Sequence, residues 1–215
     1  MGFDGFALNV REPTQPYAID CINQIFAAAQ GTGFKLFFSL DMNGHGDTAQ
    51  FASIFSHFND EAYLKVGDGD GRPFVSTFWG GSLGPDPWRA LKEEHNLYFV
   101  PSFDDIGGYY EDAPGFFERF GDVVDGAFNW ETAWPPAEDR PANVSAEADA
   151  RFNDAAAAVG KDFMMGTSEC LGRNRVFADC DSQQSPLCST STAAAATTTA
   201  SAKATFLSAS PRSST

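Results

Sequence analysis

Lys35-Leu36-Phe37-Phe38-Ser39-Leu40-Asp41 is a mostly apolar run that closes on a serine and an aspartate. It reads as a buried strand whose C-terminal end opens onto polar groups. The same design recurs along the chain. Phe3–Asn9, Phe74–Phe78, Tyr98–Phe103, Val123–Trp130 and Phe163–Thr167 are short aromatic or β-branched runs, each with polar residues at or just past its end. Amphipathic segments lie between them. Tyr17–Ala29 carries Ile19, Ile22, Ile25 and Phe26 on one face, and Ala49–Phe58 does the same with Phe51, Ile54, Phe55 and Phe58. Pro87–Asn96 begins with a helix-compatible proline, Pro114–Phe120 is short, and Ala146–Val159 is rich in alanine.

This alternation, at roughly 30 residues per unit, is that of βα units around a parallel sheet. Two closures compete for it. A doubly wound sheet favours apolar strands throughout, whereas a (β/α)8 barrel builds its site from polar residues at the strand C-terminal ends. Asn9, Asp41, Ser76-Thr77, Ser102, Asn129 and Thr167-Ser168 occupy those ends. The expectation is an α/β fold, an incomplete (β/α)8 barrel of about six βα units over residues 1–168. Residues 169–215 form a divergent tail. From 182 to 215, 24 of 34 residues are Ser, Thr or Ala, too little apolar surface to repay ordering, so the tail is expected to be disordered. A secreted Ser/Thr linker and a translated intron or shifted frame are its two readings.

Composition narrows the partners. The 215 residues are 43% hydrophobic and include 21 Phe, enough for a core, while 29 acids against 14 bases give a net charge of −15. That balance argues against nucleic acid and leaves neutral ligands such as sugars open. No apolar run approaches the ~18–20 residues that cross a bilayer, so no membrane partner is expected. The N-terminus lacks the basic and apolar regions of a signal peptide, which places the product as written inside the cell.

Cofactor and metal motifs fail one by one. Gly31-Thr32-Gly33 precedes a strand instead of following it, and no phosphate loop occurs. Asp68-Gly69-Asp70-Gly71 lacks the remaining ligands of a calcium loop and reads as a turn. His45, His57 and His95 are not at zinc-ligand spacing, and neither are Cys21, Cys170, Cys180 and Cys188. Cys21 reads as a small core residue. Neither a metal nor a cofactor is expected.

Carboxylates on the strand-end rim remain. Glycosidic hydrolysis needs one carboxylic acid to protonate the leaving oxygen and one carboxylate to activate water or attack. Asp41, Asp104 and Glu131 each end or follow a strand and are the catalytic candidates; singly, each also reads as a solvated loop acid or helix cap. Trp79 and Trp130, with Asn9, are the substrate-binding candidates, because indole faces beside strand ends can stack on sugar rings. Core packing is the plainer reading of a tryptophan and is preferred for Trp88.

Phe3-Asp4-Gly5-Phe6-Ala7-Leu8-Asn9, Gly33–Asp41, Phe74-Val75-Ser76-Thr77-Phe78-Trp79-Gly80, Tyr98–Ser102, Asp125–Trp130 with Trp134-Pro135, and Lys161–Ser168 resemble, in order, the strands of glycoside hydrolase family 71, the fungal α-1,3-glucanases or mutanases. The resemblance covers about residues 1–168. It implies a (β/α)8 fold, inverting hydrolysis of α-1,3-glucan in the fungal cell wall, and secretion; apart from this, no obligate protein partner is expected. Asp41 matches an acid on which that family relies. The family also carries an acidic pair in an Asn-Asp-x-x-Glu-Ser-His type motif on a later strand. This sequence has no such motif, and its text departs from the family after Ser168. Three function classes follow: an α-1,3-glucanase, a non-catalytic barrel fragment that at most binds glucan, and, least supported, a nucleotide-dependent α/β enzyme.

Overall fold

Strand β2 is the run Lys35–Asp41, and it lies inside a parallel sheet between β1 (Gly5–Val10) and β4 (Arg72–Phe78). The computed structural model describes residues 4–130, 146–166 and 205–207. β1 pairs with β2 from Gly5 opposite Lys35 to Val10 opposite Leu40, and β2 with β4 from Phe38 opposite Val75 to Asp41 opposite Phe78. β5 (Tyr98–Phe99) continues the sheet in parallel on the other side of β4. β6 (Gly126–Asn129) and β7 (Asp162–Met165) form a second parallel pair. Backbone bonds from Asp125 N to Phe99 O and from Phe128 N to Pro101 O, both 2.8 Å, join this pair to the first sheet. Neighbours therefore follow chain order, β1-β2-β4-β5-β6-β7. A doubly wound sheet reverses its order at a switch point, and none occurs among the described residues.

Two strands lie outside this series. β3 (Lys65–Val66) pairs antiparallel with the start of β4, and β8 (Thr205–Leu207) pairs antiparallel with β7. Just before β3, Ala62–Leu64 inserts between the N-terminal halves of β2 and β4. Leu36 N donates to Ala62 O, Leu64 N to Leu36 O and Phe74 N to Leu64 O. The buried Tyr63 hydroxyl seals the insertion, accepting from Phe38 N at 3.2 Å and donating to Phe74 O at 2.9 Å.

The helices stand where the amphipathic segments predict, with α1 at Pro16–Ala29, α2 at Pro85–His95, α3 at Ala113–Phe120 and α4 at Glu147–Ala158. α3 starts on Asp112, whose carboxylate accepts from Gly115 N at 3.0 Å and so satisfies an orphan amide of the first turn. Several expectations need correction. Ala49–Asn59 is a 3-10 helix, although it buries the expected Phe51, Ile54, Phe55 and Phe58. The pairs 51/54 and 55/58 are three residues apart, a spacing that three residues per turn also keeps on one face. The fifth strand is regular only to Phe99; past it the contact with β4 continues through Val100 N to Val75 O at 2.9 Å and Ser102 N to Thr77 O at 3.4 Å, while Pro101, which has no N–H, faces β6 and only accepts there. β6 starts at Gly126, since Val123 and Val124 direct their amides to Phe120 O and close α3. Cys21, on α1, is half-buried and disulfide-bonded, not a free core thiol.

Phenylalanine makes much of the core. Phe38, Phe51, Phe74, Phe99, Phe103, Phe120 and Phe152 are fully buried, and Phe103 contacts Phe99, Phe116 and Phe120 edge-on or tilted at 5.0–6.2 Å. Such offset and T-shaped pairs are the favoured aromatic geometries.

Candidate functional site at the strand C-terminal ends

Polar groups that are buried need partners, and their distribution shows where a fold has been built for something besides packing. The buried polar side chains among the described residues are Asn9, Ser39, Asp41, Ser76, Thr77, Ser102, Asn129 and Asp149. All but Asp149 sit in the C-terminal half of a strand or just beyond it. The opposite, N-terminal rim is held by an ion cluster. There Asp125 receives Arg72 and Lys92, both at 2.9 Å, and the amide of Phe99 at 2.8 Å, while Arg72 lies 4.7 Å above the Tyr98 ring and the Tyr98 hydroxyl donates to Asp162.

The register of β1 against β2 sets Asn9 opposite Ser39, two residues short of Asp41. From there Asn9 Nδ2 donates to Asp41 Oδ2 at 3.1 Å, and Ser39 Oγ donates to Asn9 Oδ1 at 3.0 Å. The other carboxylate oxygen, Asp41 Oδ1, accepts from Asn43 N at 3.0 Å. Asp41 is 7% exposed and Asn9 2%. Each carboxylate oxygen thus has an N–H donor, and the group keeps a sliver of solvent contact at the end of β2.

Asp104 follows the fifth strand segment, with β4 lying between that segment and β2. It is half-buried, and the Tyr110 hydroxyl donates to its Oδ2 at 3.3 Å. Its neighbour Asp105 has a structural task, accepting from Gly81 N at 2.9 Å and Ser82 N at 3.0 Å across the turn after β4. Glu131 lies outside the described residues. Tyr109, under Asp104, is held well above the ordinary tyrosine range by burial first, then by the charges of Tyr110 and Asp104. Sequence reasoning missed one buried pair, Asn129 Nδ2 donating to Asp149 Oδ1 at 2.9 Å. Asn129 ends a strand and was legible as a rim residue; Asp149, in the first turn of α4, reads locally as an ordinary helix-start acid.

The tryptophans divide. Trp88 is 1% exposed, stacks on Phe99 at 5.1 Å and donates its indole N–H to Gly80 O at 2.9 Å, so it belongs to the core. Trp79 and Trp130 are half-buried and meet through Phe78, which lies 5.3 Å from the first and 4.9 Å from the second. No group of three or more His, Cys, Asp or Glu side chains that could hold a metal occurs among the described residues.

A parallel α/β sheet with carboxylate, amide, hydroxyl and indole groups gathered on its C-terminal rim has the layout of an α/β enzyme whose site lies at that rim. The chain belongs to glycosyl hydrolase family 71, whose family model matches residues 1–183. It is similar to the glucan endo-1,3-alpha-glucosidase agn1 of Schizosaccharomyces pombe, with 30% identity over 186 residues, covering 78% of this chain and 39% of that relative. The chain therefore spans well under half the length of this relative.

Proposed function

We propose that this chain supplies part of the catalytic unit of a hydrolase acting on α-1,3-linked glucan, built on a (β/α)8 barrel whose successive parallel strands include the six described here. Asp41 is one of its catalytic carboxylates. The observation that carries this reading is the Ser39–Asn9–Asp41 network at the ends of β1 and β2. It holds a nearly buried carboxylate at a defined orientation on the rim where barrel enzymes place their chemistry. Both Asp41 oxygens accept from N–H donors, which suits a carboxylate acting as base or countercharge, while a second carboxyl protonates the leaving oxygen. Asp104 and Glu131 are the candidates within this chain for that second group. Asn9 spends its amide on Asp41 and Ser39, so its part is to aim Asp41.

The test is reducing-sugar release from insoluble α-1,3-glucan by the chain and by Asp41→Asn, which keeps the shape and removes the charge. Loss of roughly 10²-fold or more in turnover of the folded protein is expected for a general base, with a somewhat lowered melting temperature because the new amide NH2 meets one of the two N–H donors. Undiminished turnover in Asp41→Asn refutes the assignment. A second reading, a glucan-holding segment of a longer catalytic polypeptide, is favoured by the 39% coverage of the relative, and binding without turnover would select it.

A further inference from the structure

Among the described residues, two that are not glycine have a left-handed backbone, Trp79 at φ 67° and Asn96 at φ 49°. Asn96 caps the C-terminus of α2, where asparagine is well suited to that conformation. Trp79 has no such excuse. A bulky side chain in the left-handed region is a genuine outlier, and such strain persists only where the surroundings enforce it and the residue is needed.

The surroundings do enforce it. Gly80 follows at φ 108°, and a Cβ there would lie 2.5 Å from the Trp88 ring. Trp88 also binds the Gly80 carbonyl. One tryptophan, fully buried, thus clamps the turn that displays the other. A glycine at 79 would satisfy this backbone without strain, so the indole is kept for what its ring does. One face of it stacks on Phe78, with the planes 17° apart. Phe78 in turn backs Trp130, and Phe128 flanks Trp130 at 5.6 Å. Trp79 packs against the edge of the core, yet both it and Trp130 remain only half-buried. The indole N–H of Trp79 meets no acceptor among the described residues.

The position of this aromatic group gives it its meaning. Phe78 is the register partner of Asp41, and Met42 N donates to Phe78 O at 2.9 Å, so Trp79 leaves β4 at the level of the carboxylate. A pyranose ring presents an apolar face of C–H bonds and a rim of hydroxyls. It is neutral, as a chain of net charge −15 requires of a ligand that brings no cation. Aromatic walls with a few fixed polar groups are what such a ligand needs. From this juxtaposition we infer that Trp79 and Trp130 form a stacking subsite for one hexopyranose unit of the glucan, set beside Asp41, with the strain at Trp79 held for binding. The inference rests on the glucan reading above and adds to it the subsite and the residue that governs it.

Strain and packing predict opposite results for one substitution. The chain is titrated calorimetrically with an α-1,3-linked glucose oligosaccharide and, separately, with an α-1,4-linked one, and each variant is also melted. Trp79→Gly is expected to lose at least tenfold in affinity while its Tm stays level or rises. Trp79→Phe keeps a ring and is expected to fall between the two. Undiminished affinity in Trp79→Gly overturns the subsite, and so does a loss of affinity that comes only with a lowered Tm. Binding of the α-1,4 oligosaccharide alone, still lost in Trp79→Gly, upholds the subsite and refutes the α-1,3 reading. Binding of neither sugar by the unsubstituted chain overturns the subsite.

Discussion

An asparagine amide has a donor end and an acceptor end, and at Asn9 the neighbours decide which faces where. Asp41 offers only acceptors as a carboxylate, so Nδ2 must face it, which leaves Oδ1 to the Ser39 hydroxyl. Asn9→Ala removes one of the two N–H donors to Asp41 in a site nearly closed to water. It should destabilise the fold by about 1–3 kcal/mol, read from urea denaturation midpoints. Asn9→Asp should cost more than Asn9→Ala at neutral pH, because two carboxylates would then share the site. A smaller loss in Asn9→Asp than in Asn9→Ala would show that Nδ2 is not the atom facing Asp41. Gly80→Ala belongs to the same scale. Its methyl would meet the Trp88 ring at 2.5 Å on a backbone at φ 108°, and a loss of about 2 kcal/mol or more is expected from the combined overpacking and strain. A Tm equal to that of the parent would mean that Trp88 can retreat.

Between elements, the N-terminal rim and the Tyr63 insertion hold the strands in order. Asp125 precedes β6, yet it binds Arg72 of β4, Lys92 of α2 and the backbone of β5. Asp125→Ala strands two cations in a partly dry site and should cost about 2–4 kcal/mol, near the range for breaking a buried ion pair from one side. The exposed pair Arg89–Asp122, at 2.7 Å, is the control. Surface pairs contribute only about 0–1 kcal/mol, so Arg89→Ala should shift the denaturation midpoint little. Equal effects from the two substitutions would refute the ranking. Tyr63→Phe removes the hydroxyl that joins β2 to β4 and leaves Phe38 N and Phe74 O without it. That substitution should cost about 1–3 kcal/mol in the same assay.

For the molecule as a whole, proton linkage sets an alkaline limit. Burial pushes Tyr63 and Tyr98 well above the ordinary tyrosine range, with the bond to Asp162 adding to it at Tyr98, and Tyr109 is raised in the same direction. The unfolded chain releases these protons near the ordinary value of about 10, whereas the folded chain retains them. The native state then binds more protons, so stability is intact below about pH 10 and falls as pH rises beyond it. Lys161 acts in the opposite sense. Burial lowers it, so the unfolded chain holds the extra proton and stability gains as pH rises between the two values. Three tyrosines outweigh one lysine. Guanidinium denaturation from pH 8 to 11 should show a falling midpoint above pH 10, with tyrosinate absorbance appearing together with unfolding. Tyrosinate that forms fully in the folded chain would contradict the burial of these hydroxyls.

Periodicity and composition alone determined a good deal. The βα rhythm, the helices bearing Ile22, Phe26 and Phe116, and Asp41 at the end of a buried strand were all legible, because an apolar residue declares its burial through its spacing from its neighbours. Trp88 was legible as core because core packing is the plainer reading of a tryptophan on a helix. Pairing was not. Asn9 reaches Asp41 across 32 residues and Arg72 reaches Asp125 across 53, contacts that exist only once strand register is set. The insertion of Tyr63 between β2 and β4 turned on a hydroxyl that has no local pattern. Only the tertiary structure showed what Trp88 holds, its indole N–H reaching the carbonyl of Gly80 in the turn that follows Trp79. A side chain's burial is written in local spacing, but its partner is chosen by segments distant in sequence, and that choice is made by the sheet.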